Sequence, residues 1–280
     1  MLNAEVDPEP VKGTTRTTAK ECMAGALDGA RLKVVRAQEH LDALKTEVRA
    51  YLDGHPYQIV LQGAGGCLSA SAAVRVAPPI RLSAIIGDCV TNARAALDHI
   101  AWQLAVRHLD RPPFSDMDDR RWVSFPLTID PNADGYVNKI NRFANRQIPA
   151  SAISIIKSVQ PYNAGQQPLW YLHELVNCDK HRLPLLTIGV VHGIRHLTLF
   201  GVDAVSGDRK MLGGASSIQS MSINTAMADL RPAVDVEVDA QVSGFVAFAD
   251  LSMPREPVDR TLEQIIKAVT DVIPRFDRFF

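Results

Sequence analysis

Ile80–His108 reads IRLSAIIGDCVTNARAALDHIAWQLAVRH, and its apolar positions decide the first half of the fold. Leu82, Ile86, Cys89, Ala93, Leu97, Ile100 and Leu104 recur at threes and fours, the spacing of one face of an α-helix. Arg111-Pro112-Pro113 ends the pattern, because proline can neither donate to a helix nor let its neighbour stay helical. A second stripe lies upstream, in Leu27, Val34, Ala37, Leu41, Leu44, Val48 and Tyr51. Thr18 and Glu21 have capping-box spacing and Gly54 precedes Pro56, so the sequence predicts a long helix over 18–53. Between the two stripes, 57–62 and 71–76 read as the strands of a hairpin broken by Gly63-Ala64-Gly65-Gly66. A connector this short makes the two helices reversed neighbours. The glycine cluster lacks the Lys-Ser/Thr ending and the spacing of a phosphate-binding loop.

Further along, Pro126 gives 122–129 the character of a short edge strand. A helix is expected over 134–146, with Val137, Ile140 and Ala144 on its inner face and Lys139, Arg142 and Arg146 on another. Shorter helices follow over 150–159, closed by Pro161, and over 169–181, opened by Pro168 with Leu172, Leu175 and Val176 inward. After Pro184 the apolar period changes to two, which predicts strands over 185–191, 195–202 and 234–240, with 242–251 as the partner of the last. A closing helix over 259–273 carries Leu262, Ile265, Ile266, Val269 and Val272 and stops at Pro274. The expected class is α+β: an N-terminal bundle of long helices with an inserted β-hairpin, then a largely antiparallel sheet and a C-terminal helix. The expected organisation is a loose arm over 1–17, a mainly helical part over 18–183 and a strand-rich part over 184–280, the last two forming separate domains or one continuous domain.

The chain has 280 residues, 46% of them hydrophobic and 22% charged, an ordinary globular composition. Lys plus Arg number 30 and Asp plus Glu 31, for a net charge of -1. That balance excludes a surface built throughout for nucleic acid or acidic lipid, yet it leaves room for a local patch. No acidic residue occurs between Gly135 and His173, so the basic stretch is there. The four cysteines (Cys22, Cys67, Cys89 and Cys178) show no CxxC pair, which points to a reducing compartment. No apolar leader segment is visible, and the longest near-apolar run, 183–191, is about half of what a membrane crossing requires. A soluble, cytoplasmic protein without a membrane partner is expected.

Polar residues concentrate in two of the helices. At about 100° per residue, Asp88, Asn92, Ala95 and His99 share one stripe, while Arg94 and Asp98 form an i,i+4 pair on a different flank. In the later helix, His173, Asn177 and His181 step by four along one side, with Asp179, Lys180 and Arg182 around the C-terminal end. Buried groups of these kinds need complementary partners, so a hydrogen bond between the two sets is expected.

Arg94-Ala-Ala-Leu-Asp-His99 resembles the Arg-x4-His element of the HEPN superfamily, helical proteins that include metal-independent ribonucleases of toxin–antitoxin and antiphage systems. The resemblance implies that Arg94 stabilises phosphate charge and that His99 transfers protons, with a ribose 2′-hydroxyl as nucleophile and the site commonly completed across a homodimer. The family prefers a polar residue directly after the arginine, where this chain has Ala95. A five-residue helical step also sets Arg94 and His99 about 140° apart, so convergence on one phosphate asks for a bend or a second subunit. The wider pairing of Asn92–His99 with Asn177–Arg182 is similar to that of uncharacterised bacterial proteins, which bring no known activity.

The resulting expectation is a HEPN-like, metal-independent RNase or RNA-binding effector of a bacterial defence or toxin–antitoxin type, acting on RNA as a homo-oligomer without a cofactor. Arg94 and His99 are its candidate catalytic pair, supported by Asp88, Asn92, Asp98, Asn177, Asp179 and His181. Lys139, Arg142, Arg146, Lys180 and Arg182 are its candidate phosphate contacts. No metal is expected, since Asp88, His99, His173, Glu174, Asp179 and His181 offer ligand types but no HExxH or Glu-x-x-His spacing. No G-x-S-x-G nucleophile element occurs either. The alternative is a non-enzymatic binding or assembly protein whose buried polar motifs hold helices in register.

Overall fold

The structure, a computed structural model, describes residues 25–64, 67–108, 123–190, 197–202, 209–215, 237–240, 244–250 and 252–280. The arm expected over 1–17 and the capping pair Thr18 and Glu21 lie outside the described residues. The fold is α+β.

Helix α1 spans Asp28–Asp53 and follows a turn closed by the Asp28 amide on the Gly25 carbonyl, so the helix starts later than its apolar stripe suggests. Its end also differs in detail. Gly54 has φ -73°, and His55 takes the left-handed conformation at φ 51°. Strands β1 (Tyr57–Ala64) and β2 (Cys67–Val74) pair antiparallel from Tyr57↔Val74 to Ala64↔Cys67. The ladder therefore continues past Gly63, and β2 begins before the expected Ser71. Helix α2 spans Ile80–His108 as the sequence predicts, and all seven residues of its apolar stripe are buried.

α1 and α2 run antiparallel, because their contacts pair rising numbers on one with falling numbers on the other. Gly29 lies against His99, Lys33 bonds Asn92, Ala37 receives the Cys89 thiol, and Glu47 meets Arg81. Burial pushes the Cys89 thiol up to about 12, leaving a packed, unreactive thiol.

The segment 123–130 is not the expected edge strand. Side chains of neighbouring elements take several of its backbone polar groups in place of a strand partner. Phe125 is bonded through both its amide and its carbonyl to α2, while Gln160, fully buried, takes the Thr128 amide at 3.0 Å and donates to the Pro126 carbonyl at 2.8 Å. The Phe125 ring packs edge-on against Phe276 at 6.3 Å.

α3 (Asp134–Asn145), α4 (Ala150–Ser158) and α5 (Gln167–His181) follow. The buried face of α3 is Tyr136, Ile140 and Phe143, with Val137 exposed, so the helix is rotated from the expected Val137–Ile140–Ala144 face. Two aromatic rings bury more apolar area than a valine and an alanine, and they set the orientation.

The later strands are β3 (Leu186–Val190), β4 (Leu197–Val202), β5 (Arg209–Ala215), β6 (Glu237–Ala240) and β7 (Gly244–Phe248). They form two antiparallel sheets, β3–β7 and β5–β4–β6, instead of one. The expected pairing of the last two strands is corrected: β7 pairs with β3, and β6 with β4. Tyr57 explains how β7 is seated. Its hydroxyl accepts the Gly244 amide at 3.0 Å, and a Cβ at 244 would come within 2.5 Å of the Tyr57 ring, so only glycine fits. Helix α6 (Val258–Val272) buries Val258, Leu262, Ile265, Ile266, Val269 and Val272, and Pro274 passes the chain into a 3-10 turn over Ile273–Phe279. One continuous core joins α1 and α2 to α3–α6, β7 and Phe276. No helix among the described residues is long and apolar enough to cross a membrane.

Candidate functional site

A cleft of about 750 Å³ opens between α2, the 123–128 segment, α3 and α5. Helix α2 supplies Arg94 and Asp98 to it, with Ala95 leaving room between them; α3 supplies Tyr136 and Lys139, and α5 supplies His173, Asn177 and Lys180. Its size is that of a site for a ligand as large as a nucleotide.

The wall is built from the i,i+4 pair on α2. Arg94 Nε and Nη2 donate to Asp98 at 3.3 and 2.9 Å, a two-pronged pair that fixes both side chains. Asp98 Oδ1 also accepts the Phe125 amide at 2.8 Å, and Arg94 Nη2 reaches the Phe125 carbonyl. Lys139 donates to Ser124 Oγ at 2.6 Å from the opposite wall. Tyr136 and Tyr162 share a hydroxyl hydrogen bond of 3.0 Å, and burial, with that bond next, raises the Tyr136 phenol above its ordinary range. On α5, Asn177 and His173 Nε2 are 2.9 Å apart in a hydrogen bond.

The electrostatics favour an anion. Among the described residues, Asp98 is the carboxylate of the lining and Arg94 already holds it, which leaves Lys139 and Lys180 as surplus positive charge there. Burial, with Arg94 next, holds the Lys139 ammonium below its ordinary value. The same two causes keep the His173 imidazole below its ordinary value. An entering anion relieves the repulsion between Arg94 and Lys139.

The expected site residues thus divide. Arg94, Asp98, Lys139, Asn177 and Lys180 come together in the cleft. His99 lies on the α1 side of α2, where a Cβ on Gly29 would be 2.5 Å from its Nδ1. Asn92 also faces α1, accepting from Lys33 Nζ at 3.1 Å and donating to the Asp88 carbonyl at 2.9 Å. Asp179 sits over Gly87, where a Cβ would meet its Oδ1 at 2.2 Å. Burial, with the Asp88 charge next, raises its carboxyl above the usual range. His181 and Arg142 are exposed, Arg146 is half-buried, and Arg182 pairs with Asp250 at 3.3 Å.

Among the described residues, no hydrogen bond joins Asp88, Asn92 or His99 to Asn177, Asp179 or His181. The expected bond is replaced by two local arrangements, α1 with α2 and His173 with Asn177. His173, Ser124 and Tyr136 are among the members of the cleft that the expected set does not contain. His173 carried a signal in its four-residue spacing from Asn177, and Tyr136 in its place beside the basic Lys139, Arg142 and Arg146. Among the described residues, no group of three or more His, Cys, Asp or Glu is placed to hold a metal ion. The chain matches no family model, no curated protein and no solved structure.

Proposed function

We propose that the protein is a HEPN-like, metal-independent endoribonuclease of bacterial defence or toxin–antitoxin type that takes an RNA phosphate in the cleft beside Arg94. The observation that carries this reading is the charge of the lining, where, among the described residues, Arg94, Lys139 and Lys180 face one carboxylate that is already paired. Phosphate contacts by Lys and Arg supply most of the affinity for a nucleic-acid backbone. Donors fixed before the reaction also stabilise charge developing on a phosphoryl oxygen. The Arg94–Asp98–Phe125 network provides that fixity. Exposed Arg142, on the same helix as Lys139, extends the basic surface along which a strand would run.

The resemblance assigns proton transfer to His99, which faces α1 and not the cleft. In that form of the reading a second subunit supplies His99, and the working species is a cytoplasmic homodimer. The purified chain, incubated with several single-stranded RNAs in EDTA, is expected to cleave them, with affinity falling steeply as salt rises. Absence of both binding and cleavage at low salt contradicts the proposal. It favours the second reading, an assembly protein, for which the engagement of Asn92 by Lys33 and of Arg94 by Asp98 is the supporting observation.

A further inference from the structure

We propose that Ser124 and Lys139 form a nucleophile–base pair in the cleft that hydrolyses acyl esters carrying an anionic group. The activity is separate from the ribonuclease reading and does not rest on it. Both side chains are half-buried and line the cleft, and Lys139 Nζ stands 2.6 Å from Ser124 Oγ, the reach that proton transfer to a base requires. The serine lies at a bend between buried Val123 and Phe125, next to the backbone that Asp98 and Gln160 pin. As an ammonium, Lys139 donates to Oγ. Once uncharged, its lone pair accepts, and the rotatable Ser124 hydroxyl donates across the same contact. The ionisable groups that line the cleft or act on Nζ are Arg94 and Asp98 from α2, His173 and Lys180 from α5, and Tyr136 and Arg142 from its own helix; 123–128 contributes none. Burial first, then Arg94, hold the ammonium below its ordinary value against the pull of Asp98, so the base form is easier to reach than in a surface lysine.

The step is an acyl transfer. Ser124 Oγ attacks the ester carbonyl carbon, and its proton passes to Lys139 Nζ. The Phe125 amide is already held by Asp98, so the charge on the tetrahedral oxyanion falls to the Arg94 guanidinium. The carbonyl re-forms as the bond to the alcohol oxygen breaks, and the Lys139 ammonium gives that oxygen its proton. Water then attacks the acyl-Ser124 ester, Lys139 takes the water proton and returns it to the departing Oγ. Ester and water become acid and alcohol, and no oxidant or reductant enters the balance. Lys180, exposed on the α5 wall, attracts the anionic group of the substrate.

The test gives the full chain p-nitrophenyl acetate and the anionic ester 4-acetoxy-3-nitrobenzoate, and separately labels it with phenylmethylsulfonyl fluoride for peptide mass mapping. Wild type is expected to hydrolyse both esters, with the lower KM for the anionic one, and to carry the sulfonyl label on Ser124. Ser124→Ala is expected to lose the label and to lower kcat by about a hundredfold or more, with a thermal midpoint close to wild type. Lys139→Arg keeps the charge and the donors but never gives up a proton, so it is expected to lose as much activity as Ser124→Ala. Wild-type kcat/KM is expected to rise with pH along a limb lying below the ordinary lysine value of about 10.4 and then level off. If Lys139→Arg fails to fold, the label and the pH limb decide. Hydrolysis by Ser124→Ala or Lys139→Arg at the wild-type rate, a label that never reaches Ser124, a profile without that limb, or wild type that hydrolyses neither ester overturns the pair. Equal KM values for the two esters overturn the preference for an anionic group. The ribonuclease reading is decided by RNA binding and cleavage, whatever these esters show.

Discussion

Arg94 and Asp98, one turn apart on α2, close on the same residue from its two ends: Asp98 Oδ1 accepts the Phe125 amide at 2.8 Å and Arg94 Nη2 donates to the Phe125 carbonyl. A pair that on a bare helix would be a minor surface contact here holds a non-helical segment against the bundle and forms the wall of the cleft. Asp98→Ala strands the Phe125 amide and leaves Arg94 without its counter-charge, for an expected loss of about 1–3 kcal/mol in urea denaturation. Asp98→Asn keeps an acceptor for the amide and should lose less. Equal losses in the two variants would show that the amide bond contributes nothing.

Gln160 is the second anchor of that segment. Its side chain is fully buried and bonds the Thr128 amide and the carbonyls of Pro126 and Ile156. Gln160→Leu keeps the volume and removes every one of these bonds, so a loss of about 1–3 kcal/mol is expected. Hydrogen exchange at the Thr128 amide should quicken in the same variant.

Much of this architecture can be read from the residues, and the places where reading stops have physical causes. α2 begins and ends where its stripe and flanking prolines put it, and the β1–β2 hairpin reverses the chain as its glycines suggest. Strand pairing is less local. β7 pairs with β3 and its Gly244 is bonded by Tyr57, far away in the chain, and no periodicity within 242–251 encodes that contact. Segment 122–129 has strand composition, yet the backbone groups of Phe125, Pro126 and Thr128 are claimed by Asp98, Arg94 and Gln160. Lys139 turns toward Ser124, away from solvent, because Tyr136 and Phe143 fix the roll of α3. The Arg94–Asp98 pair was legible as an i,i+4 spacing. That His173 stands with Arg94 depends on how α5 packs on α2, which only the folded chain supplies.

Asp179 gives the fold a pH-dependent weakness. Its carboxyl is raised by burial and by Asp88, so between the ordinary carboxylate value and the raised one the folded state binds more protons than the unfolded state. Stability contributed at this position therefore falls as pH climbs through that window. Asp179→Asn is expected to raise the thermal midpoint at about pH 7 and to leave it little changed near about pH 3, below the ordinary carboxylate value, where the Asp179 carboxyl is largely protonated in the folded and the unfolded chain alike. An equal shift at both pH values would assign the effect to something other than charge.

Gly29 and His99 should be energetically coupled. Alanine at 29 improves helix propensity by about 1 kcal/mol, but its Cβ would stand 2.5 Å from His99 Nδ1. Gly29→Ala is expected to destabilise the wild-type background and to stabilise His99→Ala, with a coupling of about 1–3 kcal/mol in a double-mutant cycle. Additive effects would place the ring away from α1.

The most direct measurement is the salt dependence of RNA binding by Lys139→Met. Burial and Arg94 already disfavour the Lys139 ammonium in the free protein, so this variant should be as stable as wild type. If an RNA phosphate occupies the cleft between Arg94 and Lys139, the variant should bind single-stranded RNA about tenfold more weakly, and the slope of log affinity against log salt should shrink by about one phosphate contact. Wild-type affinity together with a wild-type slope in Lys139→Met would contradict an RNA phosphate in the cleft.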